Sequence, residues 1–348
     1  MKNIEILSMQ KVNNYGSLLQ AYALKNIIEK DKINKVFFTD IIVNDKEKNY
    51  ALKNNSIKKR NYKKIDKYFF NRILIKKKNE KQNLLFDKFR EKELQINKKC
   101  RKYDTCVIGS DEVFNCMTQS KWGFSSQLFG NIHNADKIIT YAASCGATTL
   151  KMLPREVVDM IRNSFKNISA FSVRDKNTYD FVNTLSGRNN IYTHLDPALV
   201  YNFDKEIGMN KIKLPKRFCI VYSYYNRIDD KIEIKKIKEY CKNNKLTIVS
   251  LGAPQFWIKR HLVMNPFEML YTFSKAEMVI TDTFHGTIFA SKYSRKFITI
   301  VRDSNRNKLT DLLQKLKKEN HLYTKDCNIE DILSNNNIKE TNSIIDKE

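Results

Sequence analysis

Short apolar runs alternate with stretches of helical spacing along this chain, and the alternation occurs in two series. The first opens with Ile4 to Ser8. A polar loop at Asn13, Asn14, Tyr15 and Gly16 follows, then Leu18, Leu19, Tyr22, Ala23, Ile27 and Ile28 at helical spacing. Val36 to Phe38, Thr105 to Ile108, Ile138 to Ala142, Ala170 to Val173 and Ile191 to Leu195 read as further strands, with helices near Leu84 to Phe89, Pro154 to Val158 and Tyr179 to Leu185. Between about Tyr201 and Lys216 the periodicity fades and Pro215 appears, as in a linker. The second series has strands at Phe218 to Tyr222, Leu246 to Leu251, Met278 to Ile280 and Phe297 to Val301. Its helices fall at Asp230 to Lys242, Pro266 to Phe273, after Gly286, and Asn307 to Leu316. Strands that alternate with helices build parallel sheets covered on both faces. The predicted fold is therefore α/β: two doubly wound, Rossmann-like domains facing a cleft, residues 1–205 and 206–348. At 348 residues the chain also exceeds what one core usually holds.

Residues 46–78 interrupt the first series with a Lys- and Asn-rich stretch that has few apolar positions. It reads as a mobile insertion with a short helix around Ile65 to Ile75, and its basic character suits either an anionic acceptor or a solvated surface. The formal net charge of +25 raises the question of nucleic acid. The basic residues are scattered, however, and no zinc-finger, RNA-binding or basic-region signature accompanies them. No specific nucleic acid is expected. A positive surface favours anionic small molecules, and it permits peripheral association with an anionic membrane.

The seven cysteines include no Cys-x-x-Cys pair, and Cys106, Cys145 and Cys219 lie in or beside apolar runs. That pattern suits reduced thiols and a cytoplasmic location, at the inner face of the membrane if the acceptor is lipid-linked. The start, Met1 to Leu7, alternates like a strand and lacks an apolar leader, and no apolar run reaches the length of a membrane span.

Four polar loops stand at predicted strand ends: Asn13 to Ser17, Gly109 to Asn115, Ser144 to Ala147 and Thr281 to Gly286. Each contains one of the chain's 9 glycines, a residue that permits close backbone approach to a ligand. The last loop carries His285 where a strand turns into a helix, the edge at which open α/β sheets bind ligands and helix N-termini meet anions. Arg174 ends another apolar strand. Its planar fork suits a carboxylate, or else an ion pair with Asp175 or Asp180. Arg302 and Arg306 follow the Phe297 to Val301 strand and either meet an anion or face water. Asp111 either orients a substrate hydroxyl or caps a helix. Asn14, Gly16, Ser110, Asp111 and Ser144 are the candidates for the loops facing the cleft. His133, His194, His261 and His321 show no metal spacing, so no metal is expected. No glycine spacing forms a dinucleotide fingerprint or a P-loop.

Six ordered segments together resemble the polysaccharide pyruvyl transferase family. They are NNYGSLLQAYAL (Asn13 to Leu24), YDTCVIGSDEVFN (Tyr103 to Asn115), TYAASCG (Thr140 to Gly146), FSVRD (Phe171 to Asp175), LDPALVY (Leu195 to Tyr201) and VITDTFHGTIFA (Val279 to Ala290). The Lys-rich insertion and about the last 25 residues lie outside the resemblance. It implies an architecture similar to the glycosyltransferase B fold, with the donor side on the C-terminal domain and the acceptor side on the N-terminal one. It also implies transfer of a pyruvyl group from phosphoenolpyruvate to a sugar or lipid-linked oligosaccharide, forming a cyclic ketal in cell-surface polysaccharide without a further cofactor. His285 matches the family's catalytic histidine and Arg174 one of its donor-binding arginines. Some members carry an arginine two positions before the histidine, where this chain has Thr283, so donor binding draws on other groups. Thr283, Gly286, Thr287, Arg302 and Arg306 are the further donor-side candidates, with the Gly286 to Ile288 backbone as an anion cradle.

A sugar-nucleotide-dependent glycosyltransferase of the same fold is the nearest alternative, since fold does not fix chemistry. The loop Gly252 to Trp257 shows no acidic ribose ligand for it. A non-catalytic basic binding module is a third class.

Overall fold

The computed structural model describes residues 1–50, 69–117, 123–324 and 326–334. The chain divides into two compact units. The first comprises Met1–Asn13, Ser17–Asn71 and Lys88–Pro197, and the second Asn14–Gly16, Arg72–Asp87 and Ala198–Glu348. The expected boundary after residue 205 thus lies after Pro197, and two early segments belong with the C-terminal half. Residues 201–216, expected as a linker, contain the short helix Asp204–Gly208 with Phe203 and Glu206 buried. The fading periodicity there reflects how short that helix is.

The first unit holds six parallel strands: β1 (Lys2–Leu7), β2 (Asn34–Phe38), β3 (Tyr103–Asp111), β4 (Ala135–Ala143), β5 (Ile168–Val173) and β6 (Ile191–Thr193), in the order β2-β1-β3-β4-β5-β6. The second unit holds β7 (Phe218–Ser223), β8 (Thr247–Gly252), β9 (Met278–Thr281), β10 (Phe297–Ile300) and β11 (Leu322–Tyr323), in the order β11-β10-β9-β7-β8, also parallel. In each sheet the winding reverses once, at β1/β3 and at β7/β9. The crevice at the carboxyl ends of such a strand pair is where doubly wound sheets bind ligands. The turn carrying His285 follows β9 and therefore sits at the reversal of the second sheet.

Helices cover the strands because their caps and apolar faces are written into the chain. Asp230 accepts from Ile232 and Glu233 N–H to open helix Lys231–Asn243, and Asn265 with Glu268 forms a capping box ahead of Pro266 and helix Pro266–Lys275. Phe114, Phe129, Phe165 and Phe171 pack together in the core of the first unit, with Phe114 stacked on Phe129 and Phe165 edge-on to Phe171. Each such ring contributes about 1.5–3 kcal/mol on burial. Cys219, Val221, Ile280, Ile298 and Ile300 line the corresponding core of the second. All seven cysteines are free thiols. Among the described residues no helix is long and apolar enough to cross a membrane.

The Lys-rich stretch departs from expectation. Residues 51–68, which include the predicted helix start at Ile65, lie outside the described residues, and Asp45–Lys48 forms a one-turn helix. A continuous helix then spans Phe69–Phe89, absorbing both the later part of the predicted helix and the separate one at Leu84 to Phe89. Long Lys, Glu and Gln side chains favour helix even where apolar residues are sparse. That composition masked the helix.

His261 supplies a pH-dependent term in the second unit. Its strand-like segment bridges Ser250, whose Oγ lies 3.1 Å from the ring Nδ1. Burial first, and the charge of Lys78 second, pull its pKa down from 6.5 to about 4. The unfolded chain therefore binds a proton at His261 below pH 6.5 that the folded unit resists, and stability falls as pH drops from about 6.5 to about 4. His261→Gln should flatten that part of the profile, seen as a smaller acid shift in thermal melting; an unchanged slope would remove His261 as its cause.

Candidate active site

The chain through β9 enters the turn at Asp282 and Thr283, and helix Phe284–Tyr293 begins at once, so His285 lies in its first turn. Thr283 is the N-cap: its Oγ1 accepts from Gly286 N–H at 3.0 Å, and its carbonyl accepts from Thr287 N–H at 3.0 Å and Thr287 Oγ1 at 3.0 Å. Thr281 Oγ1 lies 3.1 Å from Thr283 Oγ1. Thr283, Gly286 and Thr287 are all buried. The expected cradle is corrected here. The N–H groups of Gly286 and Thr287 serve the cap, and an anion could take them only by breaking it. Gly286 is required by space, since a Cβ there would overlap Thr281 Oγ1 and come within 2.6 Å of the Tyr222 ring. His285 itself is half-buried, with Phe284 edge-on at 5.5 Å and Phe289 nearly parallel at 6.3 Å.

Asp282 is wholly buried beneath this turn. Its Oδ1 accepts from Ser223 Oγ at 2.6 Å, and Oδ2 lies 3.1 Å from Arg227 Nε and 3.9 Å from Arg302 Nε. Burial holds its carboxyl above the usual range, with Arg227, Ser223 and Arg302 pulling the other way. Arg302 makes a two-pronged pair with Glu233, at 2.8 and 2.7 Å, and Asn305 Nδ2 donates to the Asp282 carbonyl at 2.6 Å. Arg302 thus braces the turn while its side chain keeps 23% exposure. Arg306 is more exposed and pairs with Asp303 at 3.0 Å at the surface, an interaction of small worth. Arg227 follows β7 across the strand reversal and lies over the Tyr224 ring at 5.5 Å; its side chain keeps 25% exposure.

The segment Asn14–Gly16 from the start of the chain belongs to the same unit as this turn. Asn14 is half-buried, and Gly16 packs against the His285 ring so closely that a Cβ would overlap its Cγ and Nδ1.

The remaining candidates form a buried polar network at the carboxyl ends of β3 to β6 in the first unit. Arg174 has a side-chain exposure of 2% and pairs with Asp196 at 2.8 Å and Asp111 at 3.5 Å, with the charge of Asp175 also acting on it. Ser110 Oγ donates to Asp196 at 3.1 Å, Ser17 Oγ to Asp111 at 2.7 Å, and Ser144 Oγ to Asp175 at 2.7 Å. Asp175 caps helix Lys176–Ser186, a role that had been one of two open for Asp111. In this geometry the carboxylates of Asp196 and Asp111 engage the Arg174 fork. A guanidinium buried between two carboxylates is already neutralised, and it ties the loops after β3, β5 and β6 together.

The sequence reading missed Asp282, Arg227, Ser223, Glu233 and Tyr15. Asp282 stood inside the singled-out turn, and Arg227 stands just past a strand end. What concealed them was the strand order, because only the sheet places the loop after β7 beside the loop after β9.

Among solved structures the chain is similar to the S. aureus MnaA–UDP co-structure, with 10% identity, TM-score 0.49, and 96% of this chain and 87% of that one covered. It is likewise similar to UDP-GlcNAc 2-epimerase from Neisseria meningitidis bound to UDP-GlcNAc, with 11% identity, TM-score 0.48, and 100% and 93% covered. Likeness this distant says nothing about substrate. No curated protein matches the chain. The family model for polysaccharide pyruvyl transferase matches residues 14–304, a span that takes in the turn with His285, the network around Arg174 and the Asn14–Gly16 segment. The chain belongs to the polysaccharide pyruvyl transferase family, a family of transferases.

Proposed function

We propose that the protein transfers the pyruvyl group of phosphoenolpyruvate to two hydroxyls of a sugar in a cell-surface polysaccharide or its precursor, forming a cyclic ketal. In that reaction the enol carbon of the donor gains a proton and becomes a methyl group. The adjacent carbon loses its bond to phosphate and gains bonds to two sugar oxygens. Of the two hydroxyl protons released, one balances the methyl group and the other leaves with phosphate. The chemistry needs one acid near the enol carbon and cations near the donor's carboxylate and phosphate.

The observation that carries the reading is the setting of His285: a half-buried imidazole in the first turn of a helix at the strand reversal of the second sheet, above a turn braced by Arg227 and Arg302. His285 is the proton donor in this proposal, a role that typically contributes about 10²–10⁴ in rate. Arg227, Arg302 and Arg306 are the cations with exposed surface for the anionic donor, and Arg302 also holds the turn through Asp282 and Glu233.

Incubation with phosphoenolpyruvate and a panel of glycosides, read by mass spectrometry, tests the reaction. The expected product carries one added carboxyethylidene group and appears with one equivalent of inorganic phosphate. If binding is instead competed by nucleotide sugars and not by phosphoenolpyruvate, the protein is a sugar-nucleotide enzyme and the proposal fails.

A further inference from the structure

The segment Asn14–Gly16 comes from the first loop of the chain, yet it belongs to the second unit. Tyr15 is 1% exposed there, and its hydroxyl lies 2.7 Å from Gln82 Oε1 and 3.0 Å from the Met264 carbonyl. Gln82 clasps the same residue, with Nε2 donating to the Met264 carbonyl at 2.9 Å and Oε1 accepting from Met264 N–H at 3.2 Å. Phe86 meets the Tyr15 ring edge-on at 4.9 Å, and the Tyr222 ring lies at 6.3 Å. Tyr15 is thus pinned by helix Phe69–Phe89, by the strand-end loop before helix Pro266–Lys275, and by β7.

The next residue, Gly16, lies against the imidazole. A Cβ on it would overlap Cγ and Nδ1 of His285 and come within 2.6 Å of the His285 Cβ. Both the ring and its root are therefore in the way, and no simple rotation about χ1 clears them. The usual reason for a glycine is absent: Gly16 sits in the first turn of helix Tyr15–Glu29 with φ outside the left-handed region. Alanine is the better helix former at such a position. What glycine offers here is the missing side chain.

We infer that Tyr15 and Gly16 are positioning residues for His285: the buried tyrosine fixes the segment, and the bare Cα of the glycine forms the wall that sets the orientation of the imidazole. The inference rests on reading His285 as the reacting group. Its consequence is that the reactive centre of the second unit is built partly from the first loop of the chain, so a fragment starting at Ala198 would lack that wall.

Gly16→Ala in the full-length protein tests this. The helix tolerates the change, so far-ultraviolet circular dichroism should match the unaltered protein. The ring must move, and a misplacement of about 1 Å at a reacting group costs about 10² in turnover. The expected result is a fall in kcat of at least about 10²-fold with a smaller change in donor KM. A second readout does not depend on turnover. In protein labelled at histidine, the signal absent from His285→Ala should shift in Gly16→Ala while those of the other four histidines stay in place. Tyr15→Phe, which removes only the pinning hydroxyl, should shift the same signal by less, and it carries the test if Gly16→Ala does not fold. A His285 signal unchanged in the folded variant overturns the inference. If the signal shifts but no variant, nor the parent, turns over phosphoenolpyruvate, the positioning stands and the reaction assignment falls.

Discussion

His285→Ala should lower phosphate release from phosphoenolpyruvate by about 10²–10⁴-fold or more under single-turnover conditions, and leave the fold in place. The size follows from what the ring does in the proposed reaction. Protonation of the enol carbon is the step that makes its neighbour electrophilic, and water cannot substitute at comparable rate inside a positioned site. Stability should change little because the ring is half-buried and the helix cap does not depend on it: Thr283, not His285, accepts the Gly286 N–H. The melting temperature of His285→Ala should therefore lie within a few degrees of the parent, consistent with a loss of about 1 kcal/mol. A variant that keeps its rate within tenfold would place the acid elsewhere. One that unfolds would show that the imidazole is a packing element between Phe284, Phe289 and Gly16.

Arg174→Met should produce the largest loss of stability. The guanidinium lies between Asp196 and Asp111, and its removal takes away the ion-pair partner of two carboxylates with 0% and 11% side-chain exposure. Breaking one side of a buried pair typically costs about 3–5 kcal/mol, far above the value of a surface pair. Ser110 and Ser17 would still donate to the stranded oxygens, which puts the expectation at the lower end of that range. Urea unfolding at pH 7 measures it. A loss below 1 kcal/mol, together with weakened phosphoenolpyruvate binding, would make Arg174 a donor ligand rather than a structural tie.

The contrast between those residues shows how far the sequence could be read. His285 was legible because a strand pattern, a polar turn and a helical pattern follow one another within fifteen residues, all local features. Arg174 was legible as a strand-end arginine, but its partners were not. Asp111 and Asp196 reach it through parallel pairing of β3, β4, β5 and β6, and no spacing along the chain encodes which loops meet. Gly16 marked a turn in the sequence. That its Cα meets an imidazole 269 positions later depends on the tyrosine beside it finding Gln82 and Met264.

The sequence by itself determined most of the strands, the parallel α/β class and the family, because each rests on local periodicity or on short ordered motifs. The tertiary structure decided which charges pair with which partners. It also decided where the second unit begins and which segment walls the histidine. The physical reason is that burial and ion pairing are set by neighbours across the sheet: Arg302 faces Glu233 and Arg174 faces Asp196 only once the strands have taken their order.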